Sequence, residues 1–204
     1  MNKLEKKVLA ASILAIATIM PFHAQATTLT FDDFSNLQTI PDGYGGLNWV
    51  NFGAFDTRVG VPSGYINGLI SPYNTLFNKS GRPANFSSST PFTFYSAYLT
   101  AAWNNGLTLA VTGYLADQIV DYRTITLNTS GPTFEVFNWT NVDRVNFVSF
   151  GGTPAGYSGN GIQFALDNLT ITAEVPEPTT IAIFGLGMLG VAAARRASSK
   201  RSRV

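Results

Sequence analysis

Leu107-Thr108-Leu109-Ala110-Val111-Thr112 is the stretch whose reading decides the fold class of this chain. Apolar residues at 107, 109 and 111 alternate with small or hydroxylated ones at 108, 110 and 112, the period of two of a half-buried strand. Outward from it the same rhythm returns in Phe92-Thr93-Phe94 and Val145-Asn146-Phe147. Extended segments are predicted over 28–34, 90–100, 107–115, 118–128, 133–139, 142–150 and 161–172. Turn chemistry separates them: Asn104-Asn105-Gly106, Asn128-Thr129-Ser130-Gly131-Pro132 and the glycine-rich 151–161. No stretch between 27 and 174 carries a helical period. Nineteen glycines and fifteen phenylalanines, with many Thr and Asn, favour strands and turns. The expectation is an all-β domain, an antiparallel two-sheet β-sandwich spanning 27–174.

Between 41 and 90 the rhythm weakens. Pro41-Asp42-Gly43-Tyr44-Gly45-Gly46 is a turn cluster, and 47–55 reads as a strand. Further turn clusters surround Tyr65 and Tyr73. A binding surface would live most easily on such loops. Flat aromatic rings stack on sugar rings, and amides fix sugar hydroxyls. Tyr44, Trp49, Tyr65, Tyr73 and Trp103 are therefore the candidate ligand contacts, with Asn74, Asn104 and Asn105 beside them. The alternative for each ring is a place in the core or an anchor for its loop.

Two positions break the alternation. In Leu29-Thr30-Phe31-Asp32-Asp33-Phe34 the apolar phase flips at Asp32-Asp33. In Phe164-Ala165-Leu166-Asp167-Asn168-Leu169 it flips at Asp167-Asn168. Such a flip predicts a β-bulge or a bend. If the first and last strands are neighbours, Asp32, Asp33, Asp167 and Asn168 converge, and hard oxygen ligands of that kind suit Ca²⁺. The alternative is strand-end capping and solvated edge charge. No cofactor is required by the sequence, and structural Ca²⁺ is the one it allows.

Composition excludes much chemistry. The chain has no cysteine, and its one histidine, His23, precedes residue 27. Ser–His and Cys–His nucleophiles, thiolate metal sites and disulfides are therefore absent from 27–174. That segment carries five basic residues against ten acidic ones, a net charge of −5. Such a balance argues against nucleic acid as a partner. The surviving enzymatic route is a carboxylate pair of the glycosidase type, with Glu135 as one candidate member. Its alternative is an ordinary solvent-facing strand glutamate.

Both ends of the chain read as signals. Lys3, Lys6 and Lys7 precede an apolar run over 8–20, and Ala24-Gln25-Ala26 is a small-x-small cleavage site. Residues 1–26 are thus predicted to be a secretory signal peptide cut after Ala26. At the other end Pro176-Glu177-Pro178 precedes the apolar segment 179–194, a predicted transmembrane helix, and Arg195-Arg196 opens a basic tail to 204. Sixteen residues at ~1.5 Å each span about 24 Å, short of the ~30 Å hydrocarbon core.

This order of breaker, apolar helix and basic stop over 175–204 resembles the PEP-CTERM sorting signal of Gram-negative bacteria. The resemblance implies an inner-membrane intermediate and processing by an exosortase. It implies delivery to the cell envelope or extracellular matrix of biofilm- or floc-forming cells. An ordinary uncleaved anchor is the alternative. The domain between the signals looks like the jelly-roll carbohydrate-binding style of module found in such proteins, carried by 28–34, 40–52, 96–103 and 164–170. That likeness implies a structural Ca²⁺ near Asp32, Asp33 and Asp167, and extracellular polysaccharide as a partner. The function expected is that of an exported, non-catalytic surface or matrix protein. A carboxylate-dependent glycan-active enzyme, or an envelope protein with no sugar ligand, is the other reading.

Overall fold

The computed structural model describes residues 25–172. Residues 1–24 of the signal peptide predicted over 1–26, the sorting signal predicted over 175–204 and the predicted helix at 179–194 lie outside the described residues. Nine strands appear: β1 (Ala26–Leu29), β2 (Asn48–Val50), β3 (Phe52–Asp56), β4 (Asn74–Asn78), β5 (Ala84–Ala101), β6 (Asn104–Leu115), β7 (Gln118–Leu127), β8 (Thr133–Pro154) and β9 (Phe164–Thr172). One short helix, α1 (Gly64–Asn67), lies between β3 and β4. Among the described residues no helix is long and apolar enough to cross a membrane.

All strand pairs are antiparallel, and the sandwich expected from the alternation is present. Its two layers are not separate sheets. The strands form one ladder, ordered β3-β4-β9-β5-β8-β6-β7, with β1 on β9 and β2 on β5. The long strands β5 and β8 serve both layers. Their register runs evenly from Ala84↔Phe147 to Ser87↔Arg144, then jumps to Phe92↔Val142. Five steps along β5 match two along β8, so the pair turns a corner there. Asn138 and Asn141 take left-handed φ values of 52° and 59° at the same corner. The first layer therefore holds β3, β4, β1, β9, residues 92–101 of β5 and 133–142 of β8. The second holds β2, residues 84–87 of β5, 144–154 of β8, β6 and β7.

The core fills the space between. Phe147 of the second layer meets Phe94 and Phe164 of the first at ring separations of 6.4 and 5.7 Å. Phe86 lies 5.6 Å from Phe94. All four rings are fully buried. Leu107, Leu109 and Val111 point into this core, as their alternation predicts.

Several segment boundaries differ from expectation: β5 opens at Ala84 rather than 90 and β9 at Phe164 rather than 161. The strand predicted over 28–34 stops at Leu29, because Phe31 adopts φ 62° and its carbonyl accepts from Phe34 N in a turn. The strand predicted over 47–55 is two, broken at Asn51 with φ 61°. The Asn51 amide holds that break by donating to the Lys79, Arg82 and Pro83 carbonyls. The segments 133–139 and 142–150 form one continuous strand, β8, because the corner preserves the ladder.

Candidate functional site

The first and last strands are neighbours: β1 pairs β9 from Ala26↔Thr172 to Leu29↔Leu169. The flip at Asp167-Asn168 is a bulge. Tyr98 pairs Asp167 while Ser96 pairs Thr170, and Asn168 takes φ 48°. The bulge turns the Asp167 carboxylate to the outer side of the first layer, where residues 63–74 cover it. Asp167 is only 1% exposed.

That carboxylate is met by protein donors. Ile70 N and Ser71 N donate to Oδ2 at 2.7 and 2.8 Å, and Asn168 N donates to Oδ1 at 2.7 Å. The Ser71 hydroxyl lies 2.9 Å from Oδ1. Burial pushes the Asp167 carboxyl above its ordinary value, and these hydrogen bonds pull against that shift. Asp32 stands on the other side of Ser71. Its Oδ1 accepts from Tyr73 N at 2.9 Å and Asn74 N at 3.0 Å. Ser71 Oγ is also 3.0 Å from Thr30 O, 3.2 Å from Asn74 O and 3.4 Å from Asp32 Oδ1. Oxygens from both flips thus surround one hydroxyl that has a single proton to give.

Of the four residues expected to converge on Ca²⁺, Asp32 and Asp167 do so. Asp33 is exposed and lies beside the Tyr44 hydroxyl instead. Asn168 contributes its backbone N–H, while its Oδ1 and that of Asn74 are buried without a protein partner. The oxygen set has the chemistry Ca²⁺ prefers, but Ca²⁺ needs six to eight ligands. Here Ser71 Oγ fills the middle of the cage and three backbone N–H groups occupy the Asp167 oxygens. Among the described residues no group of three or more acidic or histidine side chains is gathered. The cage as built does not fit a Ca²⁺ ion.

The aromatic candidates do not share one surface. Trp49 is core, 6% exposed, with its ring against Phe31, Phe52 and Phe86 and its Nε1 donating to Tyr44 O at 2.9 Å. Tyr44 is half-buried and packs 4.7 Å from Phe34. Tyr65, on α1, is buried in a satellite cluster with Phe55, Phe77 and Trp103. Burial pushes its phenol far up. Trp103 is half-buried, and Gly159 lies flat on its ring, where a Cβ would come within 2.5 Å. Only Tyr73 is well exposed, and the Arg58 guanidinium covers one face at 4.3 Å. Strand β2 carries Trp49 and α1 carries Tyr65, and these buried rings tie their segments to the sandwich.

Glu135 lies in the first layer, half-buried and ion-paired with Arg123 at 3.3 Å. Arg123 also donates to Val136 O at 2.6 Å and lies over the Phe137 ring. This side chain crosses from β7 to β8 and satisfies an edge carbonyl, so the pair closes a flank of the sandwich.

Residues 174–197 match the family described as PEP-CTERM protein-sorting motif. The chain carries that sorting motif. It marks the chain for export and for handling by an exosortase. Two solved structures are similar to the domain at low score. One is "The structure of the M60 catalytic domain with the CBM51-1 and CBM51-2 domains from Clostridium perfringens ZmpB", at 7% identity and TM-score 0.36. The match covers 72% of this chain but 15% of that one. The other is "Structure of TmCBM61 in complex with beta-1,4-galactotriose", at 9% identity and TM-score 0.31. It covers 69% of this chain and 100% of that one. Scores and identities of this size carry nothing about ligand or activity. No curated protein matches the chain.

Proposed function

We propose that this is an exosortase-processed, non-catalytic surface or matrix protein of a Gram-negative bacterium, whose β-sandwich associates with extracellular polysaccharide. The sorting motif at 174–197 is the observation that carries the reading. Two features of the domain support it. Residues 27–174 lack histidine and cysteine, and Glu135 is engaged by Arg123. A protein sorted to the envelope or matrix has extracellular polysaccharide within reach, and this supports the reading. The test is mass spectrometry of the protein recovered from its own host. The expected product begins at Thr27, lacks the basic tail and fractionates with the envelope or matrix. Full-length chain in the cytosol would overturn the reading.

The domain works without a resident ion. Asp167 is supplied by backbone N–H groups and the Ser71 hydroxyl, so the joint between first and last strands is a hydrogen-bonded one. A specific Ca²⁺ ion at 100 times its dissociation constant would add about 2.7 kcal/mol. That is several degrees in melting temperature for a domain of this size. The melting curve is expected to be the same in Ca²⁺ and in chelator, and a rise of several degrees in Ca²⁺ would restore the ion.

A further inference from the structure

The outer surface of the second layer is open, and its chemistry differs from that of the rest of the domain. Register fixes which side chains share it. Val50, Asn85, Asn146, Thr112 and Tyr122 form one ladder across β2, β5, β8, β6 and β7. The chain neighbours Trp49, Phe86, Phe147 and Val111 are buried on the opposite side, and Thr112 is itself covered within its ladder. A second ladder runs Val148–Ala110–Thr124, and a third Phe150–Thr108–Thr126. Five strands ~4.8 Å apart make a surface about 19 Å across, room for several linked sugar rings.

The three ladders contain hydroxyls, amides and exposed rings, and no acid. Tyr122 is 62% exposed and Phe150 49%. Among the described residues, Arg144 is the charged side chain that the register places on this side, and it lies over the Tyr114 ring at 4.3 Å. Its guanidinium pairs with Asp117 at the tip of the β6–β7 hairpin at 2.8 Å. The face therefore presents no uncompensated charge, although 27–174 carries −5. Uncharged sugars bind through stacked rings and through amide and hydroxyl hydrogen bonds. A polyanion would instead need cations, which this face does not offer.

We propose that this face, centred on Asn85, Asn146, Tyr122 and Thr124, binds uncharged polysaccharide. The proposal rests on the polysaccharide reading above and adds the place and the class of polymer. It is tested with the exported protein purified from cells making the full chain. The probes are gels cast with a neutral galactan, a neutral β-glucan or a polyuronate, and the readout is electrophoretic retardation. The wild type is expected to be retarded by a neutral polymer. Tyr122→Ser and Asn146→Ala are expected to weaken binding at least tenfold. Thr124→Glu adds an uncompensated charge without touching the core and is expected to do the same at unchanged melting temperature. If all three variants bind as the wild type does, the face is wrong and the polysaccharide reading survives. Retardation by the polyuronate alone overturns the uncharged class. No retardation of the wild type in any gel removes the underlying reading, and this proposal with it.

Discussion

The outer surfaces of the two layers are built from the same kind of strand but are used differently. On the first layer, residues 63–74 lie over one end and bury Asp167 and Thr100. Gly64 makes this possible, because a Cβ there would fall 1.8 Å from Ala101 O. On the second layer nothing in the described chain covers Tyr122, Thr124, Thr126 or Phe150. The contrast teaches where each kind of residue can be changed. Polar groups under the cover hold the strands in place and have no water to fall back on. Polar groups on the open layer are solvated and available to a ligand.

The largest expected effect is under the cover. Asp167→Ala strands the N–H groups of Ile70, Ser71 and Asn168 in the interior. At ~1–3 kcal/mol for each buried donor, partly relieved by relaxation, the loss is about 4 kcal/mol by urea denaturation. Gly64→Ala comes next, because backbone must move to admit the methyl group, at about 2 kcal/mol. A smaller effect is one of pH. Burial holds the Asp167 carboxyl above its usual 3.8, so the folded state keeps that proton to higher pH than the unfolded chain does. The contribution is whole below the unfolded value and is lost as pH rises through the folded one. The stability of the wild type relative to Asp167→Asn should therefore decline from acid toward neutral pH, and a rise would contradict the direction. The smallest effect belongs to the open layer. Phe150→Thr should leave stability within about 0.5 kcal/mol, and a loss of 2 kcal/mol or more would erase the contrast.

The alternation around Leu107 made the sandwich legible, since every second residue must face either a neighbour layer or water. The flip at Asp167-Asn168 was equally readable as a bulge. The flip at Asp32-Asp33 was readable as a break but not as a turn, because Phe31 enters left-handed backbone that its residue type does not announce. Trp49 and Tyr65 were legible as aromatic residues in the loop-rich half, but the sequence holds no sign that they point inward. The open face was present in the same alternation, in Thr108, Thr112, Thr124, Thr126 and Tyr122. It was not legible because a polar outer residue obeys the same alternation whether its surface meets water or a ligand.

One consequence follows from where the tail begins. β9 is hydrogen-bonded along one edge to β5 and along the other to β1 and β4, and the sorting motif starts two residues beyond its end. A tug on the tail is therefore delivered lengthwise to a strand gripped on both sides. Many ladder bonds share such a load at once, whereas a strand on a free edge would peel bond by bond. Machinery that holds the tail can strain against the domain without unravelling it.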